Sequence, residues 1–311
     1  MILVVILNLL ALTISAMLGI AFFTLMERKC LSYFQSRKGP NKTLLGGVAQ
    51  PISDAVKLLA KEPNMNSKSN FAPFMLAPCA NLTCSLMMWV ASPLVVEFHF
   101  MKMSTLFIIS CMTMNTMSLM MMSWASNSNY AFIGMMRTVS QMVSYEINLI
   151  LIIMTVINLT SQMDFKLMWT QQICSSFILS MAPIAMARVM VILAETSRTP
   201  FDFSEGESEL VSGFNIEYTS GSFVFLFLAE YSSILVMSII TTMMFTELKP
   251  SGAGFYLMYS MVCLLFVWTR ATFPRFRYDK LMKMNWTQML PLTTYALFLS
   301  FTYKLYCTMK S

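Results

Sequence analysis

Between Glu195 and Glu230 the sequence gathers seven of its fifteen acidic residues: Glu195, Asp202, Glu205, Glu207, Glu209, Glu217 and Glu230. Carboxylates this close cannot all ionise at neutral pH, so some share protons and the set titrates together. Grouped acids beside a bilayer also lose hydration, which suits them to holding and passing protons. The plainer alternative is a solvated acidic loop. Within it Arg198 offsets part of the repulsion, Gly206 and Gly213 permit turns, and a helix from Ser208 onward would bring Glu205 and Glu209 near each other. Glu146, Arg188 and Glu230 fall inside apolar stretches, where a charge must face another charge, a polar cavity or a partner. A proton-path role for Glu146 and Glu230 stands there against static pairing. Arg188, close before Glu195, can also reach toward the loop side.

The elements that position these charges are membrane helices. Hydrophobic residues make up 57% of the chain and charged ones 12%, and the mean hydropathy is +0.64. That composition belongs to an all-α polytopic membrane protein, not to a soluble domain. A bilayer core of about 30 Å needs roughly 20 apolar residues per crossing. The pattern predicts eight spans, near residues 2–25, 71–96, 103–124, 138–157, 167–194, 223–245, 255–268 and 288–306, in one transmembrane domain over residues 1–311. The first span carries no charge, exceeds a signal-peptide core and lacks a convincing cleavage site, so it is expected to be retained. In the long loop 27–70, Ile52, Ala55, Val56 and Leu59 recur at helical spacing after Pro51 and predict an amphipathic helix over 50–61. Such a helix lies along a membrane surface or roofs a cavity at its edge.

Lys and Arg are distributed asymmetrically. The loops after the first, third, fifth and seventh spans hold the basic residues from Arg28 to Lys68, Arg137, Arg198 and those from Arg270 to Lys283, whereas the other side has Lys102, Lys166, Lys249, Lys304 and Lys310. The basic loops therefore face inside and both termini outside. The formal charge of +6 reflects this asymmetry and no nucleic-acid surface. The seven Cys form no C-x-x-C pair and there is one His, His99, so no metal or iron–sulfur site is expected. The 33 Met are scattered through every span and read as flexible apolar packing. With no glycine-rich phosphate loop either, any redox cofactor is expected on another chain.

Ordered motifs run along nearly the whole chain: ERK at 27–29, RKGPNK at 37–42, QPISDAVKLLAKEP at 50–63, WASNSNYA at 124–131, SYE at 144–146, the acidic loop at 195–222 and PRFRYDKLM at 274–282. In these the chain resembles the membrane subunit 1 family of mitochondrial NADH:ubiquinone oxidoreductase, respiratory complex I. The resemblance implies a core subunit of a proton-translocating NADH:ubiquinone reductase, active only within the assembled complex of the mitochondrial inner membrane. Ubiquinone is then the substrate, and FMN and iron–sulfur clusters sit on partner subunits. The partners it implies are the quinone-site peripheral subunits, adjacent small membrane subunits and the lipid bilayer. The basic loops would face the matrix and both termini the intermembrane space.

Carried over position by position, the resemblance places Arg28, Arg37, Asp54 and Arg277 near the quinone passage, with Phe223 on its apolar wall. It places Glu146, Glu195, Asp202, Glu205, Glu207, Glu209, Glu217 and Glu230 on an acidic path toward the pumping arm. For each Arg, positive-inside anchoring is the alternative. Ser197, Thr138, Ser140 and Lys280 depart from the common family wording, and none removes a proposed acid. The acids alone would also fit a self-contained proton-coupled transporter, or a scaffold subunit whose charges pair with neighbours.

Overall fold

The structure is a computed structural model that describes residues 2–63, 68–92, 102–172, 176–202 and 217–310. Among the described residues every regular element is helical. Helix α1 spans Ile2–Phe34, α2 Gln50–Leu59, α3 Phe71–Val90, α4 Ser104–Ser126 and α5 Asn129–Thr160. Short α6 (Phe165–Met168) and α7 (Phe177–Ser180) precede α8 (Ala182–Glu195). Helices α9 (Ser220–Phe245), α10 (Ala253–Thr272), α11 (Tyr278–Met284) and α12 (Leu290–Lys310) complete the bundle, the last two joined through a π-helical turn at Asn285–Met289.

Six of the described helices are long and apolar enough to cross a bilayer: α1, α3, α4, α5, α9 and α10. The other two expected spans are helical but different in kind. The stretch 167–194 is broken, because Met181 leaves the helical region between α7 and α8 and Pro183 sits in the first turn of α8. Polar backbone at membrane depth is tolerated only where protein covers it. At the break the Met181 N–H donates to the Phe177 oxygen (2.9 Å) and the Met181 oxygen accepts from Ile184 (3.0 Å), while the buried Gln172 amide donates to the main-chain oxygens of Met243 (3.2 Å) and Met244 (3.1 Å) at the end of α9. Helix α12 runs for 21 residues but carries Thr293, Thr294, Ser300, Thr302 and Lys304, which lower its apolarity. It is fastened to α5 by hydrogen bonds: Asn148 donates to Asn285, Thr293 donates to Asn148 (3.0 Å) and Asn158 donates to Ser300 (2.9 Å). Such polar bonds hold membrane helices together where no hydrophobic force distinguishes helix from lipid.

Helix α9 is apolar on every side and forms the centre, with Ile234 to Phe245 buried and α1, α3 and α10 packed around it. Helix α3 packs on α4, α4 on α5, and α5 on α8 and α12. Helix α1 meets the bundle along Leu12, Ala16, Ile20, Phe23 and Glu27, one stripe at helical spacing, and turns Leu3, Leu7, Leu10, Ile14 and Leu18 outward. It continues to Phe34, past the expected end at residue 25, because nothing in the sequence from Met26 to Leu31 breaks a helix. The ERK residues are therefore helical and not part of the following loop.

That loop folds back on the end of α1. The Lys29 ammonium donates to the Gly46 carbonyl, and the Arg37 N–H donates to the Ser32 carbonyl at 2.9 Å. Gly47 has a φ of +79°, and a Cβ there would lie 2.1 Å from the Pro40 oxygen, so only glycine fits. The predicted amphipathic helix is α2. It leans on the start of α9, where a Cβ on Gly221 would meet Leu59 at 3.8 Å, and leaves Ile52, Val56 and Leu59 exposed.

Candidate functional site

The helix ends on the basic side converge on one buried carboxylate. Glu27, at the inner end of the α1 stripe, is only 4% exposed. Its Oε1 accepts from Arg198, in the loop after α8, at 3.2 Å and from Arg270, in the last turn of α10. The Arg198 guanidinium also lies over the Tyr231 ring, 4.4 Å from its centre. Burial pulls the pKa of Arg198 down, but Tyr231 and Glu27 outweigh burial and hold it above its ordinary value. Beside this cluster is a cavity of about 60 Å³ lined by Ser197, Arg198, Asp202, Phe227, Glu230 and Arg270, which is polar and roomy enough for water. Asp202 accepts from Arg275 at 3.5 Å.

A second cluster lies within the bundle. Gln141 of α5 donates to the main-chain oxygens of Ala194 (2.8 Å) and Phe201 (3.0 Å), fixing the end of α8 and the turn beyond it against α5. Next to this junction Glu146, Arg188 and Glu195 are 8%, 1% and 5% exposed. Glu195 feels the charges of both Glu146 and Arg188. Chemically, each cluster holds carboxylates beside cations at low exposure, one on the loop side and one in the apolar interior, a setting that suits carboxylates to exchanging protons.

The expected quinone-side residues divide. Arg28 and Asp54 come together as an ion pair between α1 and α2, and Gln50 also donates to Asp54 at 2.9 Å. Phe223 stands on the first turn of α9, edge to face with Phe227 at 4.5 Å, and Phe227 in turn lines the cavity beside Glu230. Arg37 is exposed, and Arg277 pairs at 3.1 Å with Asp279 on the surface, so neither joins the Glu27 cluster. Of the acids, Glu146 and Glu195 are near enough in the bundle for the charge of one to act on the other, and Asp202 and Glu230 share the cavity. Glu217 is half-buried next to Tyr218, whose hydroxyl donates to the Met122 carbonyl at 2.8 Å and whose ring stacks on Phe74 at 4.3 Å. Glu205, Glu207 and Glu209 lie outside the described residues. Among the described residues, no group of three or more His, Cys, Asp or Glu is placed to hold a metal ion.

The sequence profile of the NADH dehydrogenase family matches residues 7–301. The chain belongs to that family. It is 44% identical to the NADH-ubiquinone oxidoreductase chain 1 of Anopheles gambiae over 289 residues, which is 93% of this chain and 92% of that one. It is 44% identical to the chain of the same name in Locusta migratoria over 298 residues (94% and 93%). To that of Apis mellifera ligustica it is 41% identical over 304 residues (97% and 99%). Both buried clusters fall inside the region that matches the NADH dehydrogenase family.

Three residues of this NADH dehydrogenase chain belong to the site although sequence reasoning did not assign them to it: Glu27, Tyr231 and Arg270. Glu27 had a signal, since it continues the apolar stripe of α1 at the spacing that faces the bundle. Arg270 and Tyr231 had none, because their partners lie far away in sequence.

Proposed function

We propose that this chain is the membrane subunit 1 of respiratory complex I. In this reading it builds the membrane part of the ubiquinone chamber and carries an acidic route that couples quinone reduction to proton pumping. The observation that carries the reading is Glu27, buried and shared by Arg198 and Arg270, with Asp202 and Glu230 across the adjoining cavity. A chamber at the ends of α1, α2 and α9 offers a long isoprenoid tail the apolar Phe223 and Phe227, and offers the headgroup the Arg28–Asp54 pair. The electrons come from flavin and iron–sulfur centres on partner subunits. Ubiquinone takes up two electrons and two protons, and the negative charge developing before protonation is complete acts on the nearby ions.

Within this chain, the Glu27 ion cluster receives that change, the Asp202–Glu230 cavity relays it, and Glu195 and Glu146 carry it into the bundle. The family membership and the full-length match to chains named NADH-ubiquinone oxidoreductase chain 1 support the assignment. The gathering of basic residues on one side supports an orientation with the loops 27–70 and 195–222 in the matrix and both termini in the intermembrane space.

The test is Glu195→Gln in the assembled enzyme, measured as NADH:quinone turnover and proton pumping on membranes of matched complex content. Loss of either with assembly intact is expected. Normal turnover with normal pumping would reject the acidic route and favour a scaffold.

A further inference from the structure

Arg188 is the largest fully buried side chain of the described residues and a charge that the proposed route has so far left without a task. Its Nε and both terminal nitrogens make no hydrogen bond among the described residues, and neither do Glu195 Oε2 and Glu146 Oε1. A guanidinium at this depth is tolerated only beside a compensating charge. The packing supplies one. Helices α5 and α8 run antiparallel: Gln141 bonds to Ala194 at one end, and Leu159 and Met181 line one groove at the other. From the Gln141–Ala194 contact, Glu146 lies five residues along α5 and Arg188 six residues back along α8, each about 8 Å deeper at 1.5 Å per residue. Arg188 and Glu146 thus occupy nearly one level of the bundle, and the compensating charge that acts on Arg188 is that of Glu195. Arg188 and Glu195, seven residues apart, share a face of α8, and each feels the other's charge.

We propose that Arg188 is a positioning residue of the acidic route, a resident counter-charge that keeps the Glu195 carboxylate turned into the bundle toward Glu146. Arg188 is the cation whose charge acts on Glu195. Arg198, on the loop side, is already engaged by Glu27 and Tyr231. Arg188 is the cation on the inner side, and its attraction orients Glu195 along α8. Without Arg188, burial and the like charge of Glu146 act on Glu195 unopposed, and the ionised carboxylate swings outward, opening the route between the two.

The inference rests on the acidic route proposed above, and the experiment separates their failures. Arg188→Met, Arg188→Lys, Glu195→Gln and the double variant Arg188→Met/Glu195→Gln are introduced into the assembled complex, and protons pumped per electron are measured with turnover. Expected is a fall in pumping by about tenfold in Arg188→Met, the change that one unit of acidity makes in a proton equilibrium. Arg188→Lys should restore it, and the double variant should be no worse than Glu195→Gln alone. Should Arg188→Met fail to assemble, the double variant decides: recovered assembly supports the pair, because removing both buried charges relieves what removing one creates, and continued failure overturns it. Normal pumping in Arg188→Met beside a defective Glu195→Gln overturns the role of Arg188 alone. A loss that Lys does not restore and that adds to Glu195→Gln overturns it as well. An unaffected Glu195→Gln enzyme overturns the route itself.

Discussion

Glu27 accepts a hydrogen bond from Arg198 across 171 residues of sequence, and a second from Arg270 across 243. One carboxylate therefore ties the end of α1 to the loop after α8 and to the end of α10. Replacing it by glutamine removes the carboxylate that the two cations share. Breaking a buried ion cluster from one side costs about 3–5 kcal/mol. Glu27→Gln should lower the amount of assembled complex and its inactivation temperature, read by native electrophoresis and by residual activity after heating.

The Arg28–Asp54 pair should behave differently, because both side chains keep substantial exposure to solvent. Exposed pairs contribute about 0–1 kcal/mol. Asp54→Asn and Arg28→Met should assemble normally and raise KM for quinone. A fall in assembly with unchanged KM would assign the pair to stability alone.

Gln141 satisfies two buried main-chain oxygens with one amide. Gln141→Leu takes the side-chain donor from the Phe201 oxygen and leaves the Ala194 oxygen with the Ser197 N–H at 3.3 Å, at a cost of about 1–3 kcal/mol for a buried oxygen left unpaired. The variant should lose thermal stability, and limited proteolysis should cleave the segment after Glu195 faster than in the parent.

Gly47→Ala should disturb the loop that folds back on α1, since its new methyl would sit 2.1 Å from the Pro40 oxygen at a positive φ. Faster protease cleavage within residues 35–49 is the expected reading, with α2 displaced and quinone turnover reduced. Ala at Gly19, which has open space around it, is the control and should be silent.

How far the sequence disclosed this arrangement depends on the range of each interaction. Helix α2 was legible because Ile52, Val56 and Leu59 repeat with the period of the helix itself. The acids that share the cavity, Asp202 and Glu230, stood out because charge is rare in so apolar a chain. The break between α7 and α8 was not legible: Phe177 to Leu193 is apolar apart from Ser180 and Arg188, and hydropathy records length without registering that Met181 leaves the helix. The role of Glu27 was half visible. Its place on the buried face of α1 follows from local spacing, but its two arginines come from helix ends that meet only after folding.

The shortness of α8 has an electrical consequence. Its 14 residues rise about 21 Å, against about 30 Å of hydrocarbon in a typical bilayer. Beyond its first turn the chain breaks beside a groove of about 660 Å³ whose lining includes the hydroxyls of Ser180, Ser300, Thr302 and Tyr303. Where water enters that groove, the insulating layer beside α8 is thinner than a full bilayer core, and a transmembrane voltage drops over a shorter path. Full passage of one charge through 100 mV is worth about 2.3 kcal/mol. A charge displaced near Arg188 and Glu146 would then sample a larger share of that energy than the same displacement along α1.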